Sequence, residues 1–134
     1  MKEDKKAHRC HCREIRANLA PEKVQAQSQQ VCEHLAHWPI FQKAHTVLSY
    51  LAFGNEVDLG ALFERFPRKR WLVPRIVSGT ALKASQKPHL VLHPYNPKRL
   101  VRHSFGMLEP DPDLPLIHPN EVELVLVPGV AFDR

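Results

Sequence analysis

Three cysteines, an odd number with Cys10 and Cys12 nearly adjacent and Cys32 apart, do not make a disulfide framework. That scarcity fits a reducing compartment. Glycine is also scarce, five in 134 residues, and no glycine- or serine-rich linker divides the chain. There is no internal repeat and no low-complexity tract, which excludes solenoid and disordered-tail architectures. No apolar run is long enough for a membrane span or a signal peptide, and Met1–Lys6 mixes both signs of charge. The expectation is one soluble, cytoplasmic domain over residues 1–134 that does not engage a membrane.

What is present sets the rest. An apolar content of 43% suffices for one hydrophobic core, and a formal net charge of +5 favours anionic ligands without choosing among them. Lys5 to about Asn18 contains neither glycine nor proline and reads as a polar helix. A second helix starts near Pro21, with Val24, Val31 and Leu35 on one face, Ser28 between them and Ala20 as a poor N-cap. Trp38-Pro39 ends it. Residues 46–51 have the β-branched and aromatic content of a buried strand, Gly54-Asn55 makes a turn, residues 58–66 are helical, and Trp71-Leu72-Val73 is the next strand. Thr80–Ala84 and His89–Leu92 read as a hairpin. Six prolines between residues 94 and 120 predict ordered loop. Val122–Val127 is a final strand, broken by Pro128-Gly129 at the end where open α/β sheets bind ligands. Strands alternating with helices imply an α/β fold: a single-domain layered sandwich with a partly parallel central sheet and flanking helices.

Five ordered pieces carry a more specific signal. They are Lys5-Lys6-Ala7-His8-Arg9, the Asn55-Glu56-Val57-Asp58 turn after Tyr50-Leu51, Val73-Pro74-Arg75, Gly106-Met107-Leu108-Glu109-Pro110, and Val127-Pro128-Gly129-Val130-Ala131-Phe132-Asp133. In order and rough spacing they resemble the 5-formyltetrahydrofolate cyclo-ligase family, also called methenyltetrahydrofolate synthetases. His8, where the family usually has an apolar residue, and Leu59, where a threonine is often seen, are departures a fold absorbs. The resemblance implies a domain missing its C-terminal elements, because family members continue into a glycine-rich stretch, two tyrosines and an aspartate, then a last strand and helix.

The resemblance further implies conversion of 5-formyltetrahydrofolate to 5,10-methenyltetrahydrofolate, with ATP and Mg²⁺ as cofactors. Lys5 and Arg9, one turn apart on a helix, would meet the ATP phosphates, and Leu51 and Glu56 would hold the folate. Without the glycine-rich loop and its aspartate, this chain is expected to have little or no ligase activity. The missing elements should also leave a sheet edge uncovered and favour self-association of a protein that would be a monomer if complete. Without the resemblance, Lys5 and Arg9 read as basic residues on a solvated helix face, Glu56 as a turn carboxylate and Leu51 as a buried strand residue. Two alternatives stand beside the enzyme: an inactive remnant, and a small basic module for nucleic acid or metal. Against the second, Cys10 and Cys12 point to nearly opposite sides of a helix, His8 and His11 complete no zinc spacing, and Arg68-Lys69-Arg70 has no interleaved aromatic for base stacking. His89, His93 and His103 sit in no motif and take surface or packing roles.

Overall fold

The computed structural model describes residues 2–79 and 82–132. Four helices, α1 (Lys2–Ala17), α2 (Pro21–Ala36), α3 (Pro39–Lys43) and α4 (Gly60–Arg65), accompany six short strands. Strands β1 (Thr46–Leu48), β2 (Arg70–Val77), β3 (His89–Pro94) and β6 (Leu124–Val125) form one sheet in the order β3-β2-β1-β6. β1 runs parallel to both β2 and β6, and β3 runs antiparallel to β2, so the sheet is partly parallel as expected. β4 (Leu100–Arg102) and β5 (Leu108–Pro110) make a separate antiparallel pair.

The core lies on one face of the sheet. Phe41, Val47 and Leu62 are fully buried there with Cys32, Phe63 and Trp71, so α2, α3 and α4 cover that face. Aromatic rings set the spacing: Phe63 lies 4.7 Å from Trp71 and 4.5 Å from Tyr95, and Phe41 meets Phe66 edge-on at 5.1 Å. The expected apolar stripe of α2 is rotated. Ser28, Cys32 and Ala36 are its buried residues, whereas Val31 is 36% exposed. Packing against α4 selected the 28/32/36 stripe although it is less apolar than Val24/Val31/Leu35. Ala20 makes no side-chain cap, as the sequence implied.

Several elements differ from expectation. Pro39 does not simply end α2; it occupies the first turn of α3, where a missing N–H costs nothing. β2 runs straight through Pro74. Its partner register explains this: Ile76 N, two residues on and pointing the same way, turns from β3 to donate to Glu109 Oε2 at 2.7 Å. Pro74 therefore lacks a donor only on the edge that β1 has already left, since the β1 ladder ends at Leu48 opposite Leu72. β3 pairs with β2, not with residues 80–84; Leu82–Ala84 form no strand, and Thr80 and Ala81 lie outside the described residues. The proline-rich stretch is not all loop, because β4 and β5 pair within it and Pro110 is buried. The strands expected at 46–51 and 122–127 pair over three and two residues, extended by Ser49 N to Leu72 O at 2.9 Å and Leu126 N to Leu48 O at 2.8 Å.

Two residues of the basic triplet 68–70 have structural partners. Lys69 Nζ donates to Phe41 O at 2.6 Å and to Gln42 O and Ala44 O, capping the C-terminal end of α3 while resting on the Phe41 ring at 4.5 Å. Burial lowers its pKa, and Glu123 opposes that shift. Arg70 pairs with Glu121 at 2.9 Å. Replacing Lys69 with methionine keeps the stem and removes the cap, so the urea midpoint should fall by the equivalent of about 1–2 kcal/mol.

Candidate functional site

Where β1 ends, the chain turns through residues 53–58, and this turn is tied to both long helices. Gly54 supplies the left-handed conformation, φ 61°, that opens it. Asn55 Nδ2 then donates to the backbone oxygens of Arg16 at 2.8 Å, Ala17 at 3.4 Å and Leu19 at 3.2 Å, where α1 finishes. The Arg16 and Ala17 carbonyls belong to the last turn of α1, where the i+4 donors run out, and Leu19 lies two residues beyond the helix. From the other side Asp58 N donates to Ser28 Oγ of α2 at 3.0 Å, and Cys32 Sγ approaches Asp58 O at 3.6 Å.

Glu56 sits at the centre of the turn. Its Oε2 accepts from Phe53 N at 3.0 Å, which holds the carboxylate in one orientation. Two hollows open beside it. The larger, of about 720 Å³, lies between α2 and α4 and is lined by Gln25, Ser28, Asp58 and Arg65. The smaller, of about 330 Å³, is walled by Cys12, Ile15 and Arg16 of α1 and by Gly129 and Val130 beyond β6. Ser28, Asn55 and Glu56 border both.

Glu56 thus lines both hollows. Leu51 is partly buried against the core cluster and lines neither hollow. Lys5 and Arg9 are exposed on α1. At 100° per residue, positions 5, 9, 12 and 16 fall within about 60° of one another, so both cations share a helix face with Cys12 and Arg16 of the smaller hollow. A rise of 1.5 Å per residue puts Arg9 about 5 Å and Lys5 about 10 Å along the axis from Cys12. Asn55 and Ser28, which hold the turn, were not singled out from the sequence as site residues. Their signal was present, an amide after a turn glycine and a hydroxyl in the middle of an apolar helix face, but their partners are 30 or more residues away. Among the described residues no three His, Cys, Asp or Glu side chains converge to hold a metal ion. No helix among them is long and apolar enough to cross a membrane.

The 5-formyltetrahydrofolate cyclo-ligase family model matches residues 1–134. The chain belongs to that family. It is 29% identical over 124 residues to the 5-formyltetrahydrofolate cyclo-ligase of Escherichia coli K12, covering 91% of this chain and 66% of that protein. The 5,10-methenyltetrahydrofolate synthetase of Aquifex aeolicus superposes with a TM-score of 0.76 at 31% identity, over 93% of this chain and 60% of that one. The synthetase of Mycoplasma pneumoniae, at 19% identity and a TM-score of 0.65, shares the fold over 93% of this chain and 63% of its own. This chain therefore spans about two-thirds of the length of its relatives.

Tyr50 reports on the same turn. Its hydroxyl donates to Val57 O at 2.6 Å, and its pKa is pushed up to about 12, first by burial and then by the negative charges of Glu56 and Asp58 and by Cys32. The folded state keeps this proton to higher pH than the unfolded chain, whose tyrosine titrates near 10. The stability it contributes is complete below about pH 10 and is lost as pH rises from about 10 to about 12. Tyr95 is also raised, by burial first. An ultraviolet titration should show little phenolate at pH 10, and Tyr50→Phe, which loses the bond to Val57 O, should lower stability at pH 7 and flatten its loss at alkaline pH.

Proposed function

We propose that this chain carries the folate- and nucleotide-binding part of an ATP-dependent 5-formyltetrahydrofolate cyclo-ligase. The observation that carries this reading is the anchored Glu56 turn, which borders the smaller hollow together with Cys12 and Arg16 of α1, on whose same face Lys5 and Arg9 lie. Family membership supplies the reaction class. In that reaction the formyl oxygen of the substrate attacks the γ-phosphorus of ATP, and ADP leaves. Nitrogen N10 then attacks the activated formyl carbon, its proton is lost, and the C–O bond breaks to release phosphate. Phosphorylation is needed because an amide oxygen is a very poor leaving group.

The chain's own residues would act by position and charge. Glu56 Oε1 and Oε2 are acceptors suited to the amino and ring N–H groups of a reduced pterin, whereas Leu51, packed against the core cluster, would act only by supporting the chain that leads into the turn. Lys5 and Arg9 would neutralise the triphosphate, reaching it as two cations one helical turn apart. The Asn55 and Ser28 bonds keep Glu56 and α1 in a fixed relation, so folate and phosphate would meet at a set distance. Mg²⁺ fits less well: the described residues offer no cluster of three ligands, so the ion would be held mainly by nucleotide phosphates and water.

Calorimetric titration of the purified chain separates the roles. Glu56→Gln should weaken 5-formyltetrahydrofolate by about tenfold and leave ATP unchanged, whereas Lys5→Gln and Arg9→Gln should weaken ATP by a similar factor and leave the folate unchanged. Equal binding of both ligands by all three folded variants would sink the assignment.

A further inference from the structure

The carboxyl-terminal half of β2 carries a polar cluster that the reading above leaves unused. His93 is fully buried. Its Nδ1 lies 3.0 Å from Leu114 O and 3.1 Å from Pro115 O, both acceptors, so this nitrogen holds the ring hydrogen. Nε2 is then the lone-pair nitrogen, and it accepts a bond from Arg75 Nε at 3.0 Å. The chain of bonds fixes the ring, its tautomer and the plane of the guanidinium together.

Among the described residues this is the one polar contact the Arg75 side chain makes. Its two terminal nitrogens, the prongs that recognise a carboxylate or phosphate in parallel, stay free, and the side chain is partly exposed. Glu109 of β5, which braces β2 at the next residue, is committed elsewhere. One oxygen accepts from Ile76 N at 2.7 Å and the other is 4.0 Å from His103 Nε2.

The register says where this fork lies. Leu48 is opposite Leu72 and Ser49 N bonds to Leu72 O, so Ser49 is beside Val73, which pairs with His93. Residues two apart on a strand share a face. Ser49, Val73 and His93 form one row, and Arg75 comes next on that face of β2, toward the carboxyl edge of the sheet. Ser49 Oγ is unusual in that row: the residue is 1% exposed, and the hydroxyl has no hydrogen-bond partner among the described residues. An unpartnered buried hydroxyl in the row below a fork of free N–H groups is an unsatisfied polar corner at the edge where α/β sheets take ligands.

The geometry points to Arg75, oriented by buried His93, as an oxyanion-binding residue at the carboxyl edge of the sheet, receiving a carboxylate or phosphoryl group. It deepens the proposed function, on which it rests for the identity of the anion: a phosphate of the nucleotide or a carboxylate of the folate tail. Arg75 touches the ligand; His93 is a positioning residue.

The test uses simple anions, so that failure of the folate reading and failure of this one are separable. The Arg75 Nε–H resonance of the ¹⁵N-labelled chain, identified by its loss in Arg75→Lys, is followed during titration with pyrophosphate and with N-acetylglutamate. One probe should shift it saturably, pyrophosphate assigning the site to the nucleotide and N-acetylglutamate to the folate tail. Arg75→Lys, with an unchanged melting temperature, should bind that probe roughly tenfold more weakly. His93→Gln keeps an acceptor for Nε and should retain binding that His93→Phe loses. No shift with either probe in the folded chain, or full affinity in Arg75→Lys, overturns the inference. Equal affinity in folded His93→Phe and wild type removes the positioning role.

Discussion

The site depends on one constraint: a turn whose polar backbone is satisfied by side chains and carbonyls from two helices rather than by a sheet neighbour. β1 leaves its ladder after Leu48, and the next ten residues have few strand partners. Asn55 gives its amide hydrogens to the end of α1, and Ser28 gives its oxygen to Asp58 N. Each bond removes an unsatisfied group on both sides, so the turn and the helices hold one another. Removing the Asn55 amide would release α1 from the end of β1 as much as it would loosen the turn, and Glu56 would lose its relation to the helix bearing Lys5 and Arg9.

The same economy recurs along the rest of the sheet. Lys69 takes the last carbonyls of α3, Glu123 accepts from His45 N and Thr46 N at the start of β1, and Glu109 takes the Ile76 N–H that no strand reaches. Short strands, two and three residues in β6 and β1, leave many such donors and acceptors, and charged side chains fill the places where longer strands would have paired. Charge in this protein therefore has a large structural share. The basic triplet at 68–70 shows it: it lies on a polar turn, yet Lys69 and Arg70 spend their charges on α3 and on Glu121.

The family pieces read from the sequence fall into different physical roles. Gly54 and the Asn55–Asp58 turn build a cavity wall, the 127–130 piece contributes Gly129 and Val130 to the smaller hollow, and Glu109 with Pro110 is a buried brace for β2. Pro74 and Arg75 stand together because the proline marks where β1 has left the edge of β2, and the arginine follows at the carboxyl end of that opening. A motif that looks like a single signature thus mixes residues that face ligand space with residues that only complete backbone hydrogen bonding.

The sequence by itself determined the α/β class, the two long helices and the approximate strands, because these depend on local propensity and on apolar spacing within ten or so residues. Ordered motifs identified the family, since matches spread along the whole chain do not require knowing which residues touch. The buried stripe of α2, the pairing of β3 with β2, the β4–β5 sheet and the cap provided by Lys69 were decided only in the tertiary structure. Each turns on partners far apart in the chain: α4 selects Cys32 over Val31, β2 captures β3, and the carbonyls of α3 draw in a lysine more than 20 residues away. Local periodicity cannot rank such choices, because the competing faces and partners are nearly equal until packing and hydrogen bonding compare them.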